Sequence, residues 1–290
     1  THKTYNAPNG AFSVYTQITL WKFPMTKTQK PYGLWSSSIT PKTIAGITRL
    51  DDVQWSGDML VWSEGGSLRC QSGYDAPRKL TEDGDSARGR VGYGGGSFSV
   101  EGDWVVYAGN GGRLYRQSLN GGYASAITPA FGNAASPAIS SDGEWVIFVH
   151  TDAGTDGLAL VDAKGEMWPR KLAFGTDFVM QPTWHPDSRY VAYIAWNHPN
   201  MPWDDTELYL AEIEKDHAGV PYIVSSRVIA GGDDISVFQP EFSPDGRFLA
   251  YVSDETGFGQ IYVRDLQNQT ETRLTNAEAE HAMPAWVQGL

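Results

Sequence analysis

With 290 residues and 41% apolar side chains, the chain is long enough to bury a sizeable core, as one large or two small domains. A net charge of −12 argues against the phosphate backbone of a nucleic acid or an anionic membrane as partner. The single cysteine, Cys70, excludes an intramolecular disulfide, and no run approaches the ~18 apolar residues of a membrane span. Thirty-two Gly with 11 Trp, 14 Tyr and 11 Phe point to many tight turns and aromatic-filled strands, so the expected class is all-β.

Residues 1–24 do not resemble the rest of the chain. Met25 precedes the polar stretch TKTQKPYG, so residues 1–24 are expected to be an extension outside the native fold, and 25–290 the folded part. Residues 11–23 are too interrupted by Thr and Gln for a signal-peptide core, and they suit a strand if a sheet edge is free. Cys70 falls in a strand-like stretch and is expected to be packed. Nothing requires an oxidising compartment, so the expected location is cytoplasmic. Asn268-Gln269-Thr270 matches a glycosylation sequon but is uninformative there.

From about residue 50 a strand–turn–strand unit recurs, near 51–81, 96–128, 136–173, 181–230 and 239–275, with an incomplete sixth at 282–290. The clearest copy is QPEFSPDGRFLAYVSD (239–254). In its turn Pro244 presets φ, Asp245 bonds its own backbone and Gly246 takes positive φ. The turn residues Asp58, Asp103, Asp142, Asp187 and Asp245 lie 45, 39, 45 and 58 residues apart. A period of ~40–50 residues with several short strands per unit predicts a β-propeller of four-stranded blades. Helix signals are nearly absent. Only LAEIEKDH (210–217) has helical composition, and it reads as strand plus loop. The longest interval carries the insertion NHPNMPWDD (197–205).

The stretches VGYGGGSFSVEGDWVVYAG (91–109), WHPDSRYVAYIAWNHPNMPWDDTELYLAEI (184–213) and AGGDDISVFQPEFSPDGRFLAYVSDETG (230–257) resemble the N-terminal propeller of the prolyl oligopeptidase family of serine hydrolases. The similarity is greatest to its acylaminoacyl-peptidase and dipeptidyl-aminopeptidase-like branch and covers about residues 31–290. It implies a seven-bladed propeller, here five complete repeats plus the start of a sixth. An α/β-hydrolase domain carrying Ser, Asp and His would follow. No serine in this chain has a nucleophile elbow, Gly-x-Ser-x-Gly between strand and helix, so the chain is expected to be inactive alone. Relatives carry His-Glu before the Tyr-Gly-Gly-Gly run. Here Val91 and Gly92 precede Tyr93, so that acidic substrate contact is not carried over.

The six histidines show no metal-ligand spacing, and no metal or cofactor is expected. His185 replaces the turn serine and reads as structural. Asp51-Asp52, Asp204-Asp205 and Asp233-Asp234 read first as solvated loop carboxylates, with a bound cation or substrate amine as the alternative. The 197–205 insertion is Pro- and aromatic-rich and lies between strands, where binding residues concentrate. It either caps its own blade or meets a partner. The resemblance implies that substrate gating or interdomain contact falls on Arg90, Tyr93, Asn200, Met201, Trp203 and Asp204. No residue of the chain is expected to be catalytic. The expected role is to gate access and help recognise short peptides for a C-terminal hydrolase domain. A stand-alone Tol-type propeller acting as a protein-binding scaffold is the alternative. Open blade edges predict closure into a smaller ring, with 11–23 as an extra strand, or association into oligomers.

Overall fold

Runs of β-branched and aromatic residues alternate with Gly- and Asp-bearing turns from Leu50 onward, and each run forms a strand. The computed structural model describes residues 31, 33, 36–46, 50–89, 91, 93 and 96–282. The expected extension (1–24) and the candidate extra strand (11–23) lie outside the described residues. The chain divides into two compact units, Thr1–Ile47 and Thr48–Leu290.

The first unit contains a five-residue helix, α1 (Pro41–Ala45). Thr40 is its N-cap, with Thr43 N donating to Thr40 Oγ1 at 3.1 Å, and Pro41 occupies the first helical position. The sequence signal for α1 is this Thr-Pro pair alone, because five residues are too few for helical periodicity.

Among its described residues the second unit holds 20 strands in five antiparallel four-stranded sheets, each in sequential order. Blade 1 is β1 (Leu50–Ser56), β2 (Met59–Glu64), β3 (Ser67–Ser72) and β4 (Arg78–Lys79). Blade 2 is β5 (Phe98–Glu101), β6 (Trp104–Ala108), β7 (Leu114–Ser118) and β8 (Ser125–Ala126). Blade 3 is β9 (Asn133–Ile139), β10 (Trp145–Asp152), β11 (Thr155–Asp162) and β12 (Arg170–Ala173). Blade 4 is β13 (Phe178–Trp184), β14 (Tyr190–Trp196), β15 (Glu207–Lys215) and β16 (Pro221–Gly231). Blade 5 is β17 (Val237–Phe242), β18 (Phe248–Ser253), β19 (Gln260–Asp265) and β20 (Thr270–Arg273). The stretch with helical composition, 210–217, is mostly strand β15.

This is a β-propeller of four-stranded blades, and among the described residues it has five of them. The expected incomplete sixth repeat, 282–290, lies outside the described residues except for its first residue, and the segment before it folds back on blade 5. His281 N donates to Gly259 O at 2.9 Å, Gly259 N to Glu280 Oε2 at 2.7 Å, and Gln260 Nε2 to Ala277 O at 2.8 Å. Those bonds hold 277–281 alongside β19.

Successive side chains of a strand point to opposite faces, so each interior blade has two apolar faces and contributes to two cores. Val61, Leu68, Cys70, Phe98, Val105 and Tyr107 fill the seam between blades 1 and 2. Val106, next to Val105, points into the seam between blades 2 and 3 with Phe148 and Val161. Ile147, Leu160, Val191 and Tyr193 fill the third seam, and Met180, Ile194, Leu249 and Tyr251 the fourth. Among the described residues no core cluster joins blade 5 to blade 1. On β1, Val53 and Trp55 are 59% and 67% exposed.

Polar bonds between inner strands reinforce the seams. Gln54 Nε2 donates to Phe98 O at 2.9 Å, and Trp184 Nε1 to Ala138 O at 3.1 Å. Three bulges repeat at Ser136-Pro137, Gln181-Pro182 and Gln239-Pro240, where the residue before Pro takes φ of 45°, 51° and 55°. Positive φ is uncommon for such residues, and here neighbouring blades hold it in place. Ser136 N donates to Gly96 O at 2.8 Å, and Gln239 N to Gln181 Oε1 at 2.7 Å.

The turns between the first two strands of blades 3, 4 and 5 share one hydrogen-bond plan. In blade 5, Ser243 Oγ donates to Asp245 Oδ1 at 2.6 Å, and Asp245 Oδ1 accepts Arg247 N at 3.1 Å. Ser140 and Asp142 repeat this in blade 3. In blade 4, His185 takes the serine position, with Nδ1 2.5 Å from Asp187 Oδ1, and extends further: Nε2–H donates to Gly246 O of the next turn at 2.7 Å. Gly246 has φ of 71°, and a Cβ there would sit 2.4 Å from His185. Gly246→Ala should therefore destabilise the fold by roughly 2 kcal/mol or more, measured by urea unfolding. Gly143→Ala shares the positive φ but has open space around it, and should cost less.

Candidate functional site

The insertion at 197–205 joins β14 to β15, and its own side chains set its shape. Asp177 Oδ2 accepts His198 N at 2.9 Å, and Asn197 Oδ1 accepts Asp177 N at 2.9 Å. Asp204 Oδ2 accepts Met201 N at 3.1 Å, while Asp204 N donates to Met201 O at 2.9 Å. Asn200 Nδ2 donates to Asp205 Oδ2 at 3.0 Å. Ser236, from the approach to blade 5, donates its Oγ–H to Pro202 O at 2.7 Å. The loop is thus tied to its own blade and to the next, and Trp203 remains 45% exposed at its crest.

An aromatic cluster lies beneath the loop. Phe178 and Trp196 stack with centroids 5.0 Å apart, and His198 meets Phe178 edge-on at 4.8 Å. Tyr93, from the connection between blades 1 and 2, meets Phe178 edge-on at 5.0 Å and Trp196 at 5.7 Å. Its hydroxyl donates to Met201 Sδ at 2.9 Å, a hydroxyl–thioether hydrogen bond linking two segments 108 residues apart. Of the six residues singled out from the sequence, Tyr93 and Met201 are in direct contact. Asn200, Trp203 and Asp204 share the loop, and Arg90 lies outside the described residues.

Two acidic groupings surround this region and the axis. Burial raises the Asp205 carboxyl, and the charges of Glu207, Asp234 and Asp233 add to the effect. The two aspartate pairs at 204–205 and 233–234 are brought together because Thr206 bonds across to the 232–235 turn, with Thr206 N donating to Ile235 O at 3.0 Å and Gly232 N to Thr206 O at 2.9 Å. The second grouping lines a central cavity of about 760 Å³ walled by all five inner strands. Asp52, Glu101 and Glu241 face it, with Gln54, Gln181 and Gln239. Burial pushes Asp52 up to about 6, against the opposing hydrogen bonds from Val53 N and Gln54. Burial and the nearby Asp52 raise Glu241, and burial raises Glu101. Sequence reasoning missed this lining. Alternation predicts which strand residues share a face, but not that β1 and β17 flank one cavity. Among the described residues no group of three or more His, Cys, Asp or Glu is arranged to hold a metal ion.

No family model matches the chain. The solved structure of a puromycin-hydrolysing peptidase from Mycobacterium tuberculosis superposes with a TM-score of 0.74 and 28% identity, over 91% of this chain and 44% of that one. A curated TolB homologue from Chlorobium luteolum is 26% identical over 174 residues, 59% of this chain and 36% of the relative. The putative TolB of Agrobacterium tumefaciens has a TM-score of 0.61 at 15% identity, over 79% of this chain and 81% of that one, a likeness of fold alone. This chain spans less than half the length of the peptidase and of the curated relative. The class defined by the fold is a β-propeller of four-stranded blades. Within that class, the chain strongly resembles the N-terminal propeller of puromycin hydrolase.

The raised Asp52 gives a signed prediction. The folded state keeps this proton to about pH 6, whereas the unfolded chain loses it near the ordinary aspartate value. Stability therefore falls as pH rises through that window and carries the full penalty above it. Asp52→Asn should stabilise the fold by about 1 kcal/mol above pH 7, allowing for solvent screening, and by almost nothing below pH ~4. Urea unfolding at a series of pH values reads this out, and an effect equal at every pH would contradict it.

Proposed function

We propose that this chain is the non-catalytic propeller of a serine peptidase of the prolyl oligopeptidase type, limiting access by substrate size and positioning short peptides for a hydrolase domain. The observation that carries this reading is the match to the puromycin-hydrolysing peptidase: 28% identity over 91% of the chain, against less than half of the enzyme. On this reading the five blades are part of a seven-bladed ring, and the protein works in the cytoplasm, where Cys70 stays reduced. The 197–205 loop, braced by Tyr93 on Met201, then presents Trp203 to the hydrolase domain or to the peptide. In the complete enzyme, hydrolysis would proceed by acyl transfer to a serine of that domain.

A fluorophosphonate probe applied to the native polypeptide tests the class. Labelling of a protein larger than 31.8 kDa that contains these residues is expected. In that enzyme Trp203→Ala should lower kcat/KM for short peptides roughly tenfold while leaving the thermal midpoint of the propeller within a degree or two, because the side chain is half exposed. Deleting 198–203 should shift the preference for substrate length. The curated TolB relative supports the second reading, a protein-binding scaffold. An unlabelled native polypeptide, with kinetics indifferent to Trp203, would favour it.

A further inference from the structure

The outermost strand of each blade is the one whose far edge has no partner within the sheet. In blades 1, 2, 3 and 5 that strand is short: β4 and β8 have two residues each, β12 and β20 four each. Shortness is a common way of protecting a sheet edge from pairing with another chain. Blade 4 departs from this. Its outer strand β16, Pro221–Gly231, has 11 residues. Tyr222, Val224 and Val228 are 44%, 49% and 42% exposed, and Arg227 is the only charged side chain on the strand. Two bulges break its register with β15, but Ser225–Val228 run regularly against Glu212–Tyr209.

We propose that β16 pairs antiparallel with β16 of a second copy, about a two-fold axis through Ser226, joining two blades into one eight-stranded sheet. The sequence of the strand argues for its own copy as the occupant. Read about Ser226, PYIVSSRVIAG places Val224 opposite Val228 and Tyr222 opposite Ala230. A two-fold interface requires such self-complementarity, and apolar β-branched pairs are the ones that stabilise directly opposed positions. The one charge also fits. Arg227 falls opposite Ser225 rather than opposite its own symmetry mate. Ser225 pairs directly with Glu212 on the adjoining strand, its Oγ–H donating to Glu212 Oε2 at 3.4 Å. Arg227 of the second copy therefore lies on the same face as Glu212, with a side chain long enough to reach it, and the contact occurs twice by symmetry.

Sedimentation velocity on the 290-residue chain should show a concentration-dependent dimer. Ser226→Cys should cross-link under oxidised glutathione at least about tenfold faster than Ser225→Cys. Position 226 meets its mate within disulfide reach, whereas the two 225 positions are offset along the strands to about 8 Å. Cys70 is fully buried and does not compete. Ser226→Lys places like charges on the axis and should weaken the dimer about tenfold or more, with unchanged near-UV circular dichroism reporting an intact fold. A monomer throughout ~1–100 μM would overturn the proposal, as would equal cross-linking at 225 and 226 or a dimer indifferent to Ser226→Lys.

Discussion

Every interior blade of this chain depends on its neighbours. A four-stranded sheet with apolar residues on both faces cannot remain in water alone, and the alternation along β6 makes this concrete: Val105 and Val106 are adjacent, fully buried and belong to different cores. Each seam buries several large side chains, at roughly 1.5–3 kcal/mol apiece relative to exposure. No interior blade can adjust without disturbing two cores. The left-handed residues at Ser136, Gln181 and Gln239 are consistent with that rigidity, since a backbone cost of about 1–3 kcal/mol each persists only where the surroundings over-determine the geometry.

The same rigidity gives the 197–205 loop a defined shape. Its base, Phe178 and Trp196, belongs to the core between blades 4 and 5, and its carboxylates are used on its own amides. Tyr93 reaches it from the far side of the sequence. Trp203 stays half exposed above this base.

The blades were legible because the turn chemistry recurs. A turn aspartate at 142, 187 and 245, followed by a β-prone run, marks a hairpin, and each of these hairpins is in the structure. The loop at 197–205 stood out as the departure from that period. Less was readable where the information is not local. Helix α1 rests on a capping pair too short to show a period. The meeting of Asp205 with Asp233 and Asp234 depends on one threonine bridging two loops, and the acidic lining of the cavity depends on how far the ring curves. His185 was readable as a turn residue, but its bond to Gly246 in the following blade needed the packing of two turns.

Because the seams are arranged in series, the blades form a nearly one-dimensional array in which each stabilises only those beside it. Blade 3 is clamped on both sides, whereas blade 1 presents Val53 and Trp55 to solvent. Local opening should therefore cost least at blade 1 and most at the middle of the array, giving a gradient of amide protection along the chain. The native state would then be entered and left from its ends, one blade at a time.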